Sequence, residues 1–203
     1  WLAVWEDDRG GEEAHENAHP VVESAISSPR YEVLDFAIYG AFVSPDGTLG
    51  DAFLISDAVL NDRSERYPEV AYNPVQDEYV VVWQATRELL TLTDYEEYFE
   101  TDASRDVLAQ RLTGLGDKIG DVQTVVSAAY VYDGYQSLGP KPVVTCNTRI
   151  GTYVVTYLTT ALDVYAVELA PAGDTIAVGT PIEIPNSGSE QSVVYNSVND
   201  QYL

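Results

Sequence analysis

The sequence predicts an all-β protein: a β-propeller of three four-stranded blades of about 50 residues, with a fourth blade split between the two ends. Three observations support this prediction. A strand–turn–strand pattern recurs with an Asn and an aromatic residue six positions apart. A second hairpin, with Gly in its turn, follows each complete copy. The interval from Tyr153 to Tyr202 is about 50 residues, the length of one four-stranded blade.

The first hairpin of each unit contains the clearest repeat. Pro68–Asn73 reads as a strand, Pro74–Glu78 as a polar turn and Tyr79–Trp83 as the returning strand. Asn and Asp favour such turns because their side chains bond to the backbone two residues further on. Each copy therefore predicts a β-hairpin. The other two copies are Pro142–Asn147 with Tyr153–Tyr157, and Gln191–Asn196 with Tyr202–Leu203.

The second hairpin supplies the third and fourth strands of each unit. Its turns carry Gly47, Gly116 and Gly173, each four residues beyond the last apolar residue of the preceding strand. The predicted third strands are Ala37–Val43, Asp106–Leu112 and Asp163–Leu169. The predicted outer strands are Ala52–Ser56, Val122–Ser127 and Pro181–Ile184.

The two ends of the chain read as parts of one further unit. Trp1–Trp5 matches the returning strand Tyr79–Trp83, and the last copy stops as that strand begins. Propellers commonly close by completing one blade from both termini, which hides edge strands. We therefore expect a closed ring of about six blades, completed by another copy or by more of a longer chain. The start at Trp1 and the absence of Met favour a processed product or a piece of something longer.

The motifs P-x-V-A-Y-N at Pro68–Asn73, Y-V-V-V-W at Tyr79–Trp83, I-Y-G at Ile38–Gly40 and S-P-D-G-T at Ser44–Thr48 resemble a known repeat type. Similar repeats occur in large secreted proteins of bacteria and archaea. The resemblance covers nearly all of the chain outside two insertions. It implies a propeller in an extracellular or cell-surface setting, and it implies no particular activity.

Charge limits the possible partners. The 203 residues include 33 Asp and Glu but only 10 Lys and Arg, giving a net charge of −23. Such a surface repels nucleic acid and anionic membranes, so neither is an expected partner, and no apolar run is long enough to span a bilayer. An acid-rich, Lys-poor composition suits a halophilic source or a calcium-rich extracellular setting. The single Cys permits no internal disulfide.

Two insertions interrupt the repeat at the same point, so both should project from the same face and form a binding surface. They run from Glu6 to about Leu34 and from Gln84 to about Arg105. The acidic run of the first insertion offers oxygen ligands to Ca²⁺, although a solvated acidic loop explains it too. The candidate binding residues are Asp7, Asp8, Glu12, Glu13, Tyr95, Glu96, Glu97 and Tyr98.

The sharpest chemical motif is His15-Glu16-Asn17-Ala18-His19, which matches H-E-x-x-H. On a helix, His15 and His19 would share one face and bind Zn²⁺, with Glu16 as general base. The motif resembles that of the zincin metallopeptidases. Pro20 follows where the zincin helix continues, and no third His exists. A solvated loop and a structural metal site therefore remain alternatives.

The remaining candidates are apolar. Trp5, Tyr39, Trp83 and Tyr157 occupy equivalent repeat positions, which favours packing between blades over a sugar-stacking platform. Cys146 aligns with Tyr72 and Tyr195, which predicts a core position rather than a reactive thiol.

Three functions stay open at this level. The first is a non-catalytic extracellular binding or adhesion module, with a glycan or protein ligand. The second is a structural subunit that self-associates through its blade edges. The third is a hydrolase, metal-dependent through His15 and His19 or acting on glycans through insertion carboxylates. Ca²⁺ and Zn²⁺ are the candidate cofactors.

Overall fold

The computed structural model describes residues 1–7, 36–56, 63–87, 104–131, 139–159, 161–185 and 191–203. All regular structure in these residues is β-strand, which confirms the all-β prediction. The described part of the chain contains no helix that could cross a membrane. The strands are β1 (Leu2–Asp7), β2 (Ala37–Phe42), β3 (Phe53–Leu54), β4 (Arg63–Asn73), β5 (Glu78–Arg87), β6 (Ser104–Thr113), β7 (Lys118–Val131), β8 (Val143–Asn147), β9 (Thr152–Leu158), β10 (Val164–Ala172), β11 (Thr175–Val178), β12 (Ile182–Ile184), β13 (Tyr195–Asn196) and β14 (Gln201–Tyr202).

These strands form four antiparallel sheets in chain order. Sheet I has the order β1-β2-β3, and sheet II has the order β4-β5-β6-β7. Sheet III runs β8-β9-β10-β11, with β12 also paired to β10, and sheet IV is the hairpin β13-β14. Apart from β12, each of these strands is paired with a neighbour along the chain, as the hairpin pattern of the sequence predicts. Relative to the four-strand repeat unit, sheet I contains the second, third and fourth strands, and sheet IV contains the first and second.

The turn that joins the first two strands of a unit has the same construction in three sheets. The Oδ1 atoms of Asn73 and Asn196 each accept a bond of 3.0 Å from the backbone N–H two residues later. Asn147 does the same at 3.1 Å. The turn then closes on a left-handed residue, with φ of 53° at Asp77, 74° at Gly151 and 55° at Asp200. Asn, Asp and Gly tolerate this conformation best, which explains the recurring turn sequence.

Sheet II is buried on both faces. On one face, Val81, Trp83 and Leu108 pack with Leu2 and Ile38 of sheet I and with Ile55, which directly follows β3. On the opposite face, Val80, Val82 and Ala109 pack with Tyr153, Val155 and Leu169 of sheet III. The two hydrophobic clusters hold the three sheets face to face. β4 also lies against β8, and β8 against β13, so the first strands of successive sheets adjoin.

Some elements differ from the sequence prediction. β4 begins at Arg63, because a register shift between Arg66 and Glu69 accommodates Pro68 within the strand. β5 continues to Arg87 and β6 begins at Ser104, so strand residues extend into the range assigned to the second insertion. The fourth strand of sheet III is divided, with β11 on the distal half of β10 and β12 on its beginning.

The aromatic residues pack in two ways. Trp83 is fully buried in the cluster that joins sheets I and II, as expected for packing between units. Trp5 and Tyr39 instead stack on each other within sheet I, with ring centroids 6.5 Å apart, because they are register partners. Tyr157 and Tyr165 form the same cross-strand pair in sheet III at 5.9 Å.

Candidate functional site

Both insertions leave from one end of the packed sheets. β1 ends at Asp7 and β5 ends at Arg87, and these strands run in the same direction past β4 and β8. We call this the insertion end, and it comprises the last residues of β1 and β5, the first residues of β4 and β6, and the segment leading into β8. The hairpin turns at Asn73, Asn147 and Asn196 lie at the opposite end, which we call the turn end.

Glu6, Tyr67 and Lys141 meet at the insertion end, although Glu6 is on β1, Tyr67 is on β4 and Lys141 precedes β8. The backbone N–H of Tyr67 donates to Oε2 of Glu6 at 2.8 Å. The ammonium group of Lys141 lies 5.4 Å from the centroid of the Tyr67 ring, within the range of a cation–π contact. Tyr67 is 39% exposed. The result is an accessible aromatic residue whose ring lies near an ammonium group and whose backbone is bonded to a carboxylate.

The backbone at Tyr67 and Lys141 adopts an uncommon conformation. Both residues have positive φ, 55° and 38°, and both precede a proline. The left-handed region disfavours residues with a Cβ, and a following proline restricts the backbone further. Such conformations cost on the order of 1–3 kcal/mol and persist only where neighbouring contacts impose them. Here the bulge in β4 and the bond to Glu6 supply contacts that fix the backbone of Tyr67.

A second layer lies beneath these side chains. The Arg66 guanidinium lies 4.1 Å from the centroid of the Phe36 ring, and the backbone N–H of Glu65 donates to the Phe36 carbonyl at 2.9 Å. Glu65 and Asp106 are both buried, and both are register partners of Ala85. Gln84, which occupies the repeat position of Glu6, is buried with its amide against Gly139. Charged and amide side chains thus occupy neighbouring register positions on β4, β5 and β6.

The turn end contains a different polar group, a buried Glu78–Arg111–Tyr153 triad. Nη2 of Arg111 donates to Oε2 of Glu78 at 2.6 Å, and the Tyr153 hydroxyl donates to Oε1 of Glu78 at 3.0 Å. Nη1 of Arg111 donates to the carbonyls of Gly173 and Thr175 at 2.6 and 2.9 Å. Burial, and then the negative charge of Glu78, raise the pKa of Tyr153 above its usual value.

The triad is suited to joining sheets and not to catalysis. Glu78 and Arg111 belong to sheet II, whereas Tyr153 and the two carbonyls belong to sheet III. All three side chains are buried and already bonded to one another, which leaves no approach for a substrate. Such a group resists the separation of the two sheets, because the Glu78–Arg111 pair of sheet II would lose its bonds to the Tyr153 hydroxyl and to the two carbonyls of sheet III.

Cys146 is buried beside this triad, as the sequence predicts. Burial, reinforced by the charge of Glu78, raises the pKa of its thiol to about 11. A thiol reacts through its thiolate, so this side chain is a packing residue at neutral pH.

Most residues proposed from the sequence lie outside the described residues. This holds for His15, Glu16, His19, Asp8, Glu12, Glu13, Tyr95, Glu96, Glu97 and Tyr98. Asp7 is described, and its Oδ2 accepts a bond of 3.2 Å from the indole N–H of Trp5. No group of three or more His, Cys, Asp or Glu side chains suited to a metal ion occurs among the described residues. The zinc and calcium hypotheses therefore stay predictions.

Sequence reasoning did not single out Tyr67 or Lys141. The available signal was that each directly precedes the proline that opens a repeat, at Pro68 and Pro142. What distinguishes them is backbone conformation and proximity across sheets, which no local pattern reveals.

No family model and no curated protein matches the chain. Among solved structures, the chain is similar to Hadza microbial sialidase Hz136, with 11% sequence identity and a TM-score of 0.41. That match covers 72% of this chain and 31% of the other, so the chain spans about a third of the length of that protein. At this identity and score, sialidase activity is a property of that protein alone.

Proposed function

We propose that the chain is a section of a β-propeller that acts as a non-catalytic extracellular or cell-surface binding module, with the insertion end as its recognition face. The architecture is supported by four-strand units that pack face to face, with their first strands adjoining from β4 to β8 to β13. Sheets I and IV hold complementary strand positions, as expected if one blade is completed from separate parts of the sequence.

The observation that carries the binding function is the group formed by Glu6, Tyr67 and Lys141. Exposed aromatic rings held by a rigid frame are effective binding residues, because they offer contact area at little entropic cost. The backbone of Tyr67 is held by a bulge and a left-handed conformation, and Tyr67 lies at the end of the sheets from which both insertions leave. The buried polar groups at the turn end, in contrast, bond to one another and connect sheets.

The test is binding of labelled protein to an immobilised panel of neutral and acidic glycans and of extended peptides. Tyr67→Ala should weaken any binding about tenfold, a typical effect for an aromatic contact residue. Tyr72→Ala is the matched control, because Tyr72 lies on the same strand near the turn end and is 44% exposed. Equal losses in both variants, or no binding to any member of the panel, would contradict the proposal.

A second candidate function is assembly through strand edges. It is favoured by the topology of sheets I and IV, because β1 is an edge strand and its repeat equivalent β14 pairs with β13. In such an assembly β1 of one copy would replace β14 beside β13, with Trp1 opposite Tyr195. The molar mass in solution tests this idea: a monomer at high concentration argues against it.

A further inference from the structure

Each of the first three sheets carries a pair of large side chains at the same position of the repeat. The two members of each pair are direct register partners: Trp5 with Tyr39 in sheet I, Trp83 with Leu108 in sheet II, and Tyr157 with Tyr165 in sheet III. Direct partners on antiparallel strands lie on the same face of the sheet. In sheets II and III this pair packs against the preceding sheet, within the two hydrophobic clusters.

The pair of sheet I lies on the face that points away from sheet II. Trp5 and Tyr39 belong to neither hydrophobic cluster of the described residues, and both are partly exposed. The residues at the position of Trp5 in the next two sheets, Trp83 and Tyr157, are at most 3% exposed. Trp1 falls on the same face as Trp5 by alternation along the strand, and it is 74% exposed. We call this surface, formed by Trp1, Trp5 and Tyr39, the aromatic face.

Sheet III presents an aliphatic surface on the side away from sheet II. Ala166 alternates with the inward-facing residues of β10, and its register partner on β12 is Ile182. Ile184 lies on the same face two residues further on, and the exposed fractions of Ile182 and Ile184 are 69% and 39%. Ala166 occupies the repeat position of Ala109, which in sheet II packs in the cluster that contains Tyr157. We call the surface formed by Ala166, Ile182 and Ile184 the outer face.

We infer that the aromatic face of one copy of this chain packs on the outer face of a second copy, and that two copies close into a pair by making this contact twice. The inference rests on the propeller architecture and the strand-edge assembly proposed above. In that assembly β1 of the second copy lies beside β13, and β13 lies against β8. Sheet I of the second copy would then extend over β10 and β12, which belong to the same sheet as β8.

The interfaces within the chain support a second copy as the occupant. Sheets I, II and III already stack by placing the large pair of one sheet on the small and aliphatic residues of the sheet before it. The contact between copies repeats this arrangement, with Trp5 and Tyr39 on Ala166 and Ile182. Exposed apolar surfaces of this kind mark sites of protein contact. Because the two faces differ and one chain carries both, two copies can satisfy all of them in a closed pair.

The net charge of the chain gives this contact a recognisable salt dependence. Each copy carries a net charge of −23, so two copies repel each other at low ionic strength. Added salt screens this repulsion, since the screening length falls from about 10 Å at 0.1 M salt to about 3 Å at 1 M. An apolar contact between acidic copies should therefore become tighter as salt is added, whereas a contact made by opposite charges would become weaker.

Sedimentation velocity of the whole chain measures the association, over a range of protein concentrations at about 0.1 M and about 1 M NaCl. We expect the molar mass to double and then to stop rising, with a dissociation constant at least about tenfold smaller at the higher salt concentration. Ile182→Glu should weaken association at least about tenfold, because it would bury a carboxylate without a partner. Tyr39→Ser, on the opposing face, should weaken it by a similar factor.

Ile150→Glu is the matched control, because Ile150 is also exposed, at 61%, but lies at the turn end between β8 and β9. It should leave association unchanged, and an unchanged urea midpoint checks the fold of each variant. A monomer under all conditions would overturn this inference and the strand-edge assembly together. Association that Ile182→Glu and Tyr39→Ser leave intact would overturn the face contact alone and leave the strand-edge assembly standing. An equal loss in Ile150→Glu, or a mass that grows beyond two copies, would also overturn the inference.

Discussion

The Glu78–Arg111–Tyr153 triad gives the sharpest quantitative prediction. Tyr153→Phe removes one bond to a carboxylate, and bonds to charged groups contribute about 1.5–3 kcal/mol. We expect the lower part of that range, about 1.5–2 kcal/mol, because Oε1 of Glu78 still accepts from Nε of Arg111 at 3.3 Å. Glu78→Gln should cost more, about 3–5 kcal/mol, because it leaves the Arg111 guanidinium buried without its carboxylate.

Urea unfolding followed by tryptophan fluorescence measures these differences. Tyr79→Phe is the matched control, since Tyr79 occupies the repeat position of Tyr153 and is less buried. It should change the free energy of unfolding by less than about 0.5 kcal/mol. Glu78→Leu/Arg111→Leu should be less harmful than the sum of its two single variants by about 2–3 kcal/mol, because the double variant leaves no unpaired charge. Strict additivity would contradict the buried pairing of Glu78 with Arg111 within sheet II. A Tyr153→Phe cost equal to that of Tyr79→Phe would refute the assignment of the triad as the connection between sheets II and III.

Three further predictions concern single positions. Gly120 and Gly173 have nearly equal φ of 65° and 62°, but a Cβ at Gly120 would overlap the Asp174 carbonyl while one at Gly173 would meet nothing within 4 Å. Gly173→Ala should therefore lower the free energy of unfolding by only the cost of a left-handed backbone, about 1–2 kcal/mol. Gly120→Ala should lower it by about 1–3 kcal/mol more, because of the overlap. Equal urea midpoints for the two variants would contradict the packing described. Cys146, whose thiol pKa is raised to about 11, should react with a disulfide reagent at least about 100-fold more slowly in the native protein than in urea; comparable rates would show that the thiol is accessible. The pKa of Tyr153 is raised above the ordinary tyrosine value of 10.0, so the unfolded chain loses this proton first as the pH rises through that value. The stability linked to this proton is therefore lost in alkaline solution. Tyr153→Phe should flatten the decline of the urea midpoint between about pH 9 and 11, and an unchanged slope would mean that Tyr153 is not the group responsible.

The strands could be predicted from the sequence because local chemistry and tertiary packing agree. Asn73 and Asp77 are suited to the turn they form, and the apolar residues of β5 face two packed neighbours. The sequence pattern does not predict β11, because β10 and β12 alone complete a hairpin. In the structure the strand that returns along β10 is divided into β11 and β12, with Gly179 and Pro181 between them. The extension of β4 to Arg63 was missed because proline usually ends a strand unless a bulge accommodates it.

The candidate site was harder to predict than the fold. Its residues come from different units, and Tyr67 bonds to a residue 61 positions earlier in the chain. The triad is equally non-local, since Tyr153 lies 75 positions from Glu78. Motif reasoning singles out His15 and His19, with a solvated loop as the alternative, because their spacing is local, whereas the described polar groups are brought together only by the stacking of sheets. A repeat pattern predicts which positions correspond, but not the positions at which the units differ.

The triad also bears on how a chain of similar repeats avoids joining the wrong neighbours. At the position of Glu78 the other units carry Thr152 and Gln201, and at the position of Arg111 they carry Phe42 and Glu168. A folding intermediate with the sheets in another order would keep the Glu78–Arg111 pair within sheet II but would bury it without the hydroxyl of Tyr153 and the carbonyls of Gly173 and Thr175. Chains of related units are prone to such misassembly, and the cost of burying polar groups without their partners disfavours the wrong arrangement. The triad therefore favours sheet III as the neighbour of sheet II, even though the hairpins themselves are nearly interchangeable.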